Sequence, residues 1–183
     1  VNSVISGEKT LEDARSLAQA MSDYYPISFS DIWVESDDTT GGVKIMKKSE
    51  SKASSRVFNR PDHTGVSKAY YEYRDTAMSR IGPFKPEWIE ELRLVKNLDP
   101  DNPDVIYNNG HLLHQITFFI GSVNFYWQSN GKNHCVELNT GDSNYIIPFV
   151  PHSFTSRDPN QNGIIVAVTY SAQVHRGLDE FSL

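Results

Sequence analysis

One cysteine in 183 residues excludes an internal disulfide, and a chain that manages without one fits a reducing cytoplasm. No apolar run approaches the roughly 18 residues of a membrane span, and no charged-then-apolar leader opens the chain. It begins on Val1 rather than Met, as a processed or trimmed product would. Positive charge is short: 17 Lys and Arg stand against 23 Asp and Glu, a net charge of −6 with a pI near 5.5. A nucleic-acid binder wants a basic surface, so that class is disfavoured. No internal repeat is visible. What is present is enough length to bury one ordinary core. Cys135, between a turn and an apolar alternation, reads as a packed thiol.

In chain order, Thr10 with Asp13 three residues on predicts a capped helix over 9–24, with Leu11, Ala14, Leu17, Ala18 and Met21 as its apolar stripe. Pro26 ends it. Ser28–Trp33 reads as a second helical turn; the pair suits a lid, a dimer contact or half of a helix-turn-helix. Asp37–Gly42 is a polar linker, giving a helical segment over 1–42 and a β-rich domain over 43–183. From 44 to 60 the charge reverses, with Lys44, Lys47, Lys48, Lys52, Arg56 and Arg60 against only Glu50. Most of that run reads as a solvated face. Arg60 differs, because the turn Pro61–Gly65 leads from it into Tyr70-Tyr71-Glu72-Tyr73. A planar guanidinium arriving with phenols suits an oxyanion such as a phosphonate or carboxylate. Short strands follow at Leu92–Val95, Thr117–Ile120, the alternation Val123, Phe125, Trp127, then Val136–Leu138, Tyr145–Ile147 and Ile164–Tyr170. Ser129–Lys132 is a hairpin turn. Strands at this spacing suggest a sandwich or barrel.

The chemistry concentrates in Asn108–Gly121 (NNGHLLHQITFFIG) and Gly141–Phe154 (GDSNYIIPFVPHSF). His111, Gln115 and His152 are the candidate metal ligands. On a flat strand, residues four apart lie about 13 Å from each other, so His111 must sit in a curl at Asn108-Asn109-Gly110 to meet Gln115. Pro148 and Pro151 stiffen the approach to His152. Two histidines and one oxygen donor, with open positions opposite, is the arrangement of non-haem iron(II) oxygenases, whose third ligand is ordinarily a carboxylate. An amide there leaves the site one charge more positive, which a dianionic substrate offsets. The plainer alternative makes Gln115 a polar core residue beside a two-histidine site. His114 is set aside, and His63, His134 and His175 are placed in solvated loops. Ligand type alone leaves Mn, Ni and Zn open.

The pattern His111-x3-Gln115-x5-Gly121, then Gly141-x6-Pro148-x3-His152, resembles the two motifs of a cupin, with Gln115 at the usual Glu position. NNGHL…ITFFIG, TGDS…PFVPHSF and TYSAQ resemble, more narrowly, the phosphonate-processing cupins over about 48–173. The resemblance implies a mainly β, double-stranded β-helix (jelly-roll) barrel behind a small helical segment, and Fe(2+) as cofactor. It implies a phosphonate held by Arg60, Tyr73 and Asn108, and a homo-oligomer; the Lys that the family supplies from an N-terminal helix has no match. The family's dioxygenase branch carries a metal Glu where this chain has Ile147, and its epoxidase branch carries one where this chain has Gln115. Both departures together resemble the branch that cleaves the C–C bond of 2-hydroxyethylphosphonate with O2, giving methylphosphonate and bicarbonate. The substrate supplies all four electrons, so neither 2-oxoglutarate nor a reductase is implied. Ile147 is expected to form an apolar wall by the metal. The first rival is the dioxygenase reaction, giving hydroxymethylphosphonate and formate. The second, from another class, is a non-catalytic cupin sensor or DNA-binding regulator.

Overall fold

The computed structural model describes residues 1–25, 27–33 and 37–170. Pro26, His175 and the Ser171–Gln173 part of the TYSAQ motif lie outside the described residues. The chain divides into two compact units, one mainly of residues 1–44 and 78–85, the other of 45–77 and 86–169.

The first unit carries α1 (Asn2–Ile5), α2 (Leu11–Tyr24) and α3 (Phe29–Ile32). Thr10 caps α2: its hydroxyl accepts from the Asp13 N–H, and the Asp13 carboxylate accepts from the Thr10 N–H. The expected apolar stripe is only partly used, since Ala18 is buried but Leu11 is exposed. Among the described residues no helix is long and apolar enough to cross a membrane.

The second unit opens with α4 (Lys48–Ala53), which the sequence reading took for a solvated charge run. The strands are β1 (Arg56–Pro61), β2 (Ser67–Asp75), β3 (Phe84–Glu91), β4 (His114–Ile120), β5 (Val123–Ser129), β6 (Lys132–Leu138), β7 (Ser143–Ile146), β8 (His152–Ser156) and β9 (Ile164–Tyr170). They form a six-stranded sheet, β1-β2-β3-β9-β4-β7, and a three-stranded sheet, β6-β5-β8. The expected strand at Leu92–Val95 is displaced: β3 ends at Glu91, and Leu94 makes only an isolated bridge to Ser156. The hairpin turn between β5 and β6 is present, with Asn130 and Gly131 both at positive φ.

Between the sheets, Ile89, Phe119, Ile146, Ile165 and Ala167 meet Val123, Phe125 and Phe154 in one core. The alternation along β5 predicts polar residues on its second face, yet Asn124 and Tyr126 are fully buried. Residues 92–107 account for this. The Asn124 amide donates to the Val95 and Asn97 carbonyls, and Tyr126 packs with Val95, Val105, Tyr107 and Cys135. Burial pushes the Cys135 thiol up to about 11, so it is a packed thiol and a poor nucleophile at neutral pH.

Candidate metal centre

The curl that the spacing demands is built at Gly110. Its φ is +73°, and a Cβ there would stand 2.6 Å from the Phe149 carbonyl carbon. Only glycine admits both the left-handed backbone and this approach. The Phe149 N–H donates to the His111 carbonyl at 2.9 Å. The Asn108 and His152 backbones exchange a bond at 3.0 Å, and the Asn108 side-chain oxygen accepts from the His152 and Gly110 N–H groups, each at 2.9 Å. The two motif segments are thus tied together by their own backbones.

This brings three donors to one point. His111 Nδ1 donates to the Leu113 carbonyl at 2.7 Å, and His152 Nδ1 donates to the Val150 carbonyl at 2.8 Å. A carbonyl only accepts, so each ring carries its proton on Nδ1 and turns its Nε2 lone pair inward, the way a metal-binding imidazole is oriented. The two rings stand edge to face, centroids 5.2 Å apart. Gln115 is buried at the start of β4, and its amide nitrogen donates to Thr117 Oγ1 at 2.8 Å. Its oxygen therefore faces His111 Nε2, 3.1 Å away. In the neutral tautomer these are two acceptors with no proton between them, a repulsive contact that a cation relieves. Burial, with His111 close by, pushes His152 down to about 4, which leaves a neutral imidazole, the form that can ligate a metal. Among the described residues no three His, Cys, Asp or Glu side chains cluster as a metal site. The third donor here is an amide.

Among the described residues, one of the other sequence-predicted site residues hydrogen-bonds to these donors. Asn108 is in contact: its side-chain nitrogen lies 3.1 Å from His152 Nε2. Arg60 on β1 lies close enough to Tyr73 on β2 for its charge to act on the phenol. Within the basic run, Lys44 pairs with Asp38 and Arg56 with Asp75 and Glu87. Arg60 has no carboxylate partner among the described residues; its guanidinium bonds only the Asn59 carbonyl. Burial raises the Tyr73 phenol above its ordinary pKa, so it stays a donor. Ile147 is exposed; the β7 residue directly opposite Gln115 is Ile146. His114 turns to the Tyr145 hydroxyl on the far side of β4 from Gln115. His63 bonds Asp104 in a loop. His134, expected in a loop, lies in β6 and stacks on Trp127.

Sequence reasoning missed the supports. Thr117 shares a face with Gln115 by the two-residue strand period, a signal that was available. Ser153, next to His152, bonds the Tyr70 and Tyr71 hydroxyls at 2.8 and 3.0 Å, and the Tyr71 hydroxyl accepts from the Phe154 N–H. Arg93 donates to the Arg60, Pro61 and Asp104 carbonyls and lies over the Tyr70 ring, fixing the backbone from which Arg60 projects.

No family model matches the chain. It is 48% identical over 176 residues to methylphosphonate synthase of Nitrosopumilus maritimus, an alignment covering 95% of this chain and 37% of that protein. An HEPD from Streptomyces albus, solved with its substrate 2-hydroxyethylphosphonate and Fe(II) bound, superposes with a TM-score of 0.73 at 42% identity, covering 98% of this chain and 40% of that one. The hydroxypropylphosphonic acid epoxidase of S. wedmorenis superposes at 0.54 and 23% identity, covering 74% of this chain and 63% of that one. The fold is a cupin. The cupin chain spans well under half the length of the first two relatives, and the residues they align with include both motif segments of this barrel.

Proposed function

We propose that this cupin is the metal-binding unit of an iron(II)- and O2-dependent oxidoreductase that splits the C–C bond of 2-hydroxyethylphosphonate, giving methylphosphonate and bicarbonate. The observation that carries the reading is the donor set itself: two histidines with their Nε2 atoms turned inward and one amide oxygen, with no proton between that oxygen and His111 Nε2. The identity to a methylphosphonate synthase supports it.

Fe(II) would be held by His111, Gln115 and His152. Bound there, it supplies Lewis acidity and the activation of O2. Three neutral ligands leave its double charge uncancelled, which favours a phosphonate dianion. Arg60 offers a guanidinium with no carboxylate partner among the described residues, and Tyr73 a phenol that stays protonated. Once His152 Nε2 is taken by a cation, the Asn108 amide nitrogen is left as a donor aimed into the same space. Together these hold the phosphonate in one pose and lower the entropic cost of the reaction. Ile147 supplies no carboxylate at the position where the dioxygenase branch carries a metal Glu. The hydroxymethyl carbon ends as bicarbonate, and the other carbon keeps its phosphorus and gains hydrogen. The four electrons go to O2, so no outside reductant enters. One half-buried thiol suits the cytoplasmic setting this reading assumes.

The test is anaerobic loading with Fe(II), then 2-hydroxyethylphosphonate and O2, with phosphorus NMR of the products. Methylphosphonate is expected. Hydroxymethylphosphonate would move the chain to the dioxygenase reaction, and neither product from iron-loaded protein would overturn the reading.

A further inference from the structure

A glutamine side chain has two ends of nearly the same shape, and only one of them can ligate a cation. Which end faces His111 shows in the bonds that the two ends make. Directly across β7 from Gln115 is Ile146, which offers no hydrogen-bonding side chain. The neighbour that does is Thr117, fully buried on the same face of β4, whose Oγ1 accepts from the Gln115 amide nitrogen at 2.8 Å. With that nitrogen spent, Oε1 is the end left facing His111 Nε2 at 3.1 Å.

We infer that Thr117 is the positioning residue that makes Gln115 a metal ligand, by fixing the amide oxygen toward the cation. The inference rests on the metal reading above. Without the hydroxyl, the buried amide nitrogen has no acceptor at that position and the amide loses its reason to keep its oxygen inward. A carboxylate would not have this problem, since its two oxygens are equivalent whichever way it turns. Thr117 therefore matters to a glutamine at position 115 and much less to a glutamate.

That difference makes the role testable in a double-mutant cycle on Fe(II) affinity, measured by anaerobic titration of the metal-free protein. Thr117→Val, nearly isosteric, is expected to weaken binding by about 10–100-fold, while Thr117→Ser retains the hydroxyl and most of the affinity. In the Gln115→Glu background, Thr117→Val is expected to change affinity by no more than about a factor of two. The melting temperature of the metal-free variants separates ligand orientation from folding, and Thr117→Ala replaces the valine variant should that one not fold. Wild-type affinity in Thr117→Val, or an equal loss in both backgrounds, would overturn the positioning role. His152→Ala should lose Fe(II) binding. Should it bind as wild type does, the metal reading fails and the inference with it; should it lose metal while Thr117→Val does not, only the inference fails.

Discussion

At the scale of single residues, one buried carboxylate stands out. Glu91 is fully buried, and neither carboxylate oxygen has a hydrogen-bond partner among the described residues. Burial pushes its pKa well above the ordinary 4.5. The sign follows from linkage: the ionised form is penalised in the fold but not in the unfolded chain. The penalty is absent below about pH 4.5 and grows as pH rises toward the folded pKa, so stability declines over that interval. Glu91→Gln keeps the shape without the charge. Metal-free wild type and variant are expected to melt alike near pH 4.5, with the variant increasingly ahead above it, by about 2–4 °C for each kcal/mol removed. Parallel melting curves across the whole range would show that Glu91 finds a partner in solution.

At the scale of elements, the informative one is the loop before β4. Gly110 and Gly131 both have positive φ, +73° and +70°, but only Gly110 has backbone atoms where a Cβ would go. Alanine at Gly131 meets strain alone, roughly 1–2 kcal/mol. Alanine at Gly110 must also displace Phe149, whose backbone cannot yield as a side-chain tip can. Gly110→Ala is thus expected to lower the melting temperature more than Gly131→Ala and to weaken Fe(II) binding, which Gly131→Ala leaves intact. Equal losses would mean that the approach to Phe149 is not what requires the glycine. Local order of this kind was partly legible from the sequence. The ligand spacing of His111 and Gln115 demanded a curl, and Asn108-Asn109-Gly110 was the place for one. The Thr10–Asp13 cap and the Asn130-Gly131 turn were legible for the same reason, because short-range chemistry decides them. β8 was not. Its residues, His-Ser-Phe-Thr-Ser, are all buried, with neither an apolar run nor an alternation to show it. Their polar groups are satisfied from far along the chain, by Tyr70, Tyr71 and the Glu91 carbonyl. β3 was misplaced because Pro86 and three glutamates obscure it. Glu87 and Glu90 turn out to pair with Arg56 and Arg74.

For the molecule as a whole, stability depends on the aromatic layer between the sheets. Phe154 of β8 meets Phe119 of β4 and Phe125 of β5 at ring centroids of 6.0 and 5.0 Å, and it lies beside His152 at 5.7 Å. Phe154→Ala is expected to cost about 3–5 kcal/mol, measured by urea denaturation of the metal-free protein; a loss below about 1 kcal/mol would mean that the core closes over the gap. A β-sandwich or barrel was readable because strand spacing and turn chemistry agree along most of the chain, whereas the jelly-roll class came from the resemblance of the two motifs. Arg60 and Tyr73 were singled out only for lying on either side of a turn, and the buried Arg93 that anchors the Arg60 backbone carried no local signal at all.

The bonds that tie the two motif segments together run from protein to protein, Asn108 to His152 and Phe149 to His111, and each ring is held within its own segment by a bond from Nδ1 to a neighbouring carbonyl. None of them needs an ion to close. On the proposed reading the metal is a reversible tenant of a barrel that keeps its shape, so a chelator is expected to silence the protein without unfolding it, and returned metal to restore it without a refolding step.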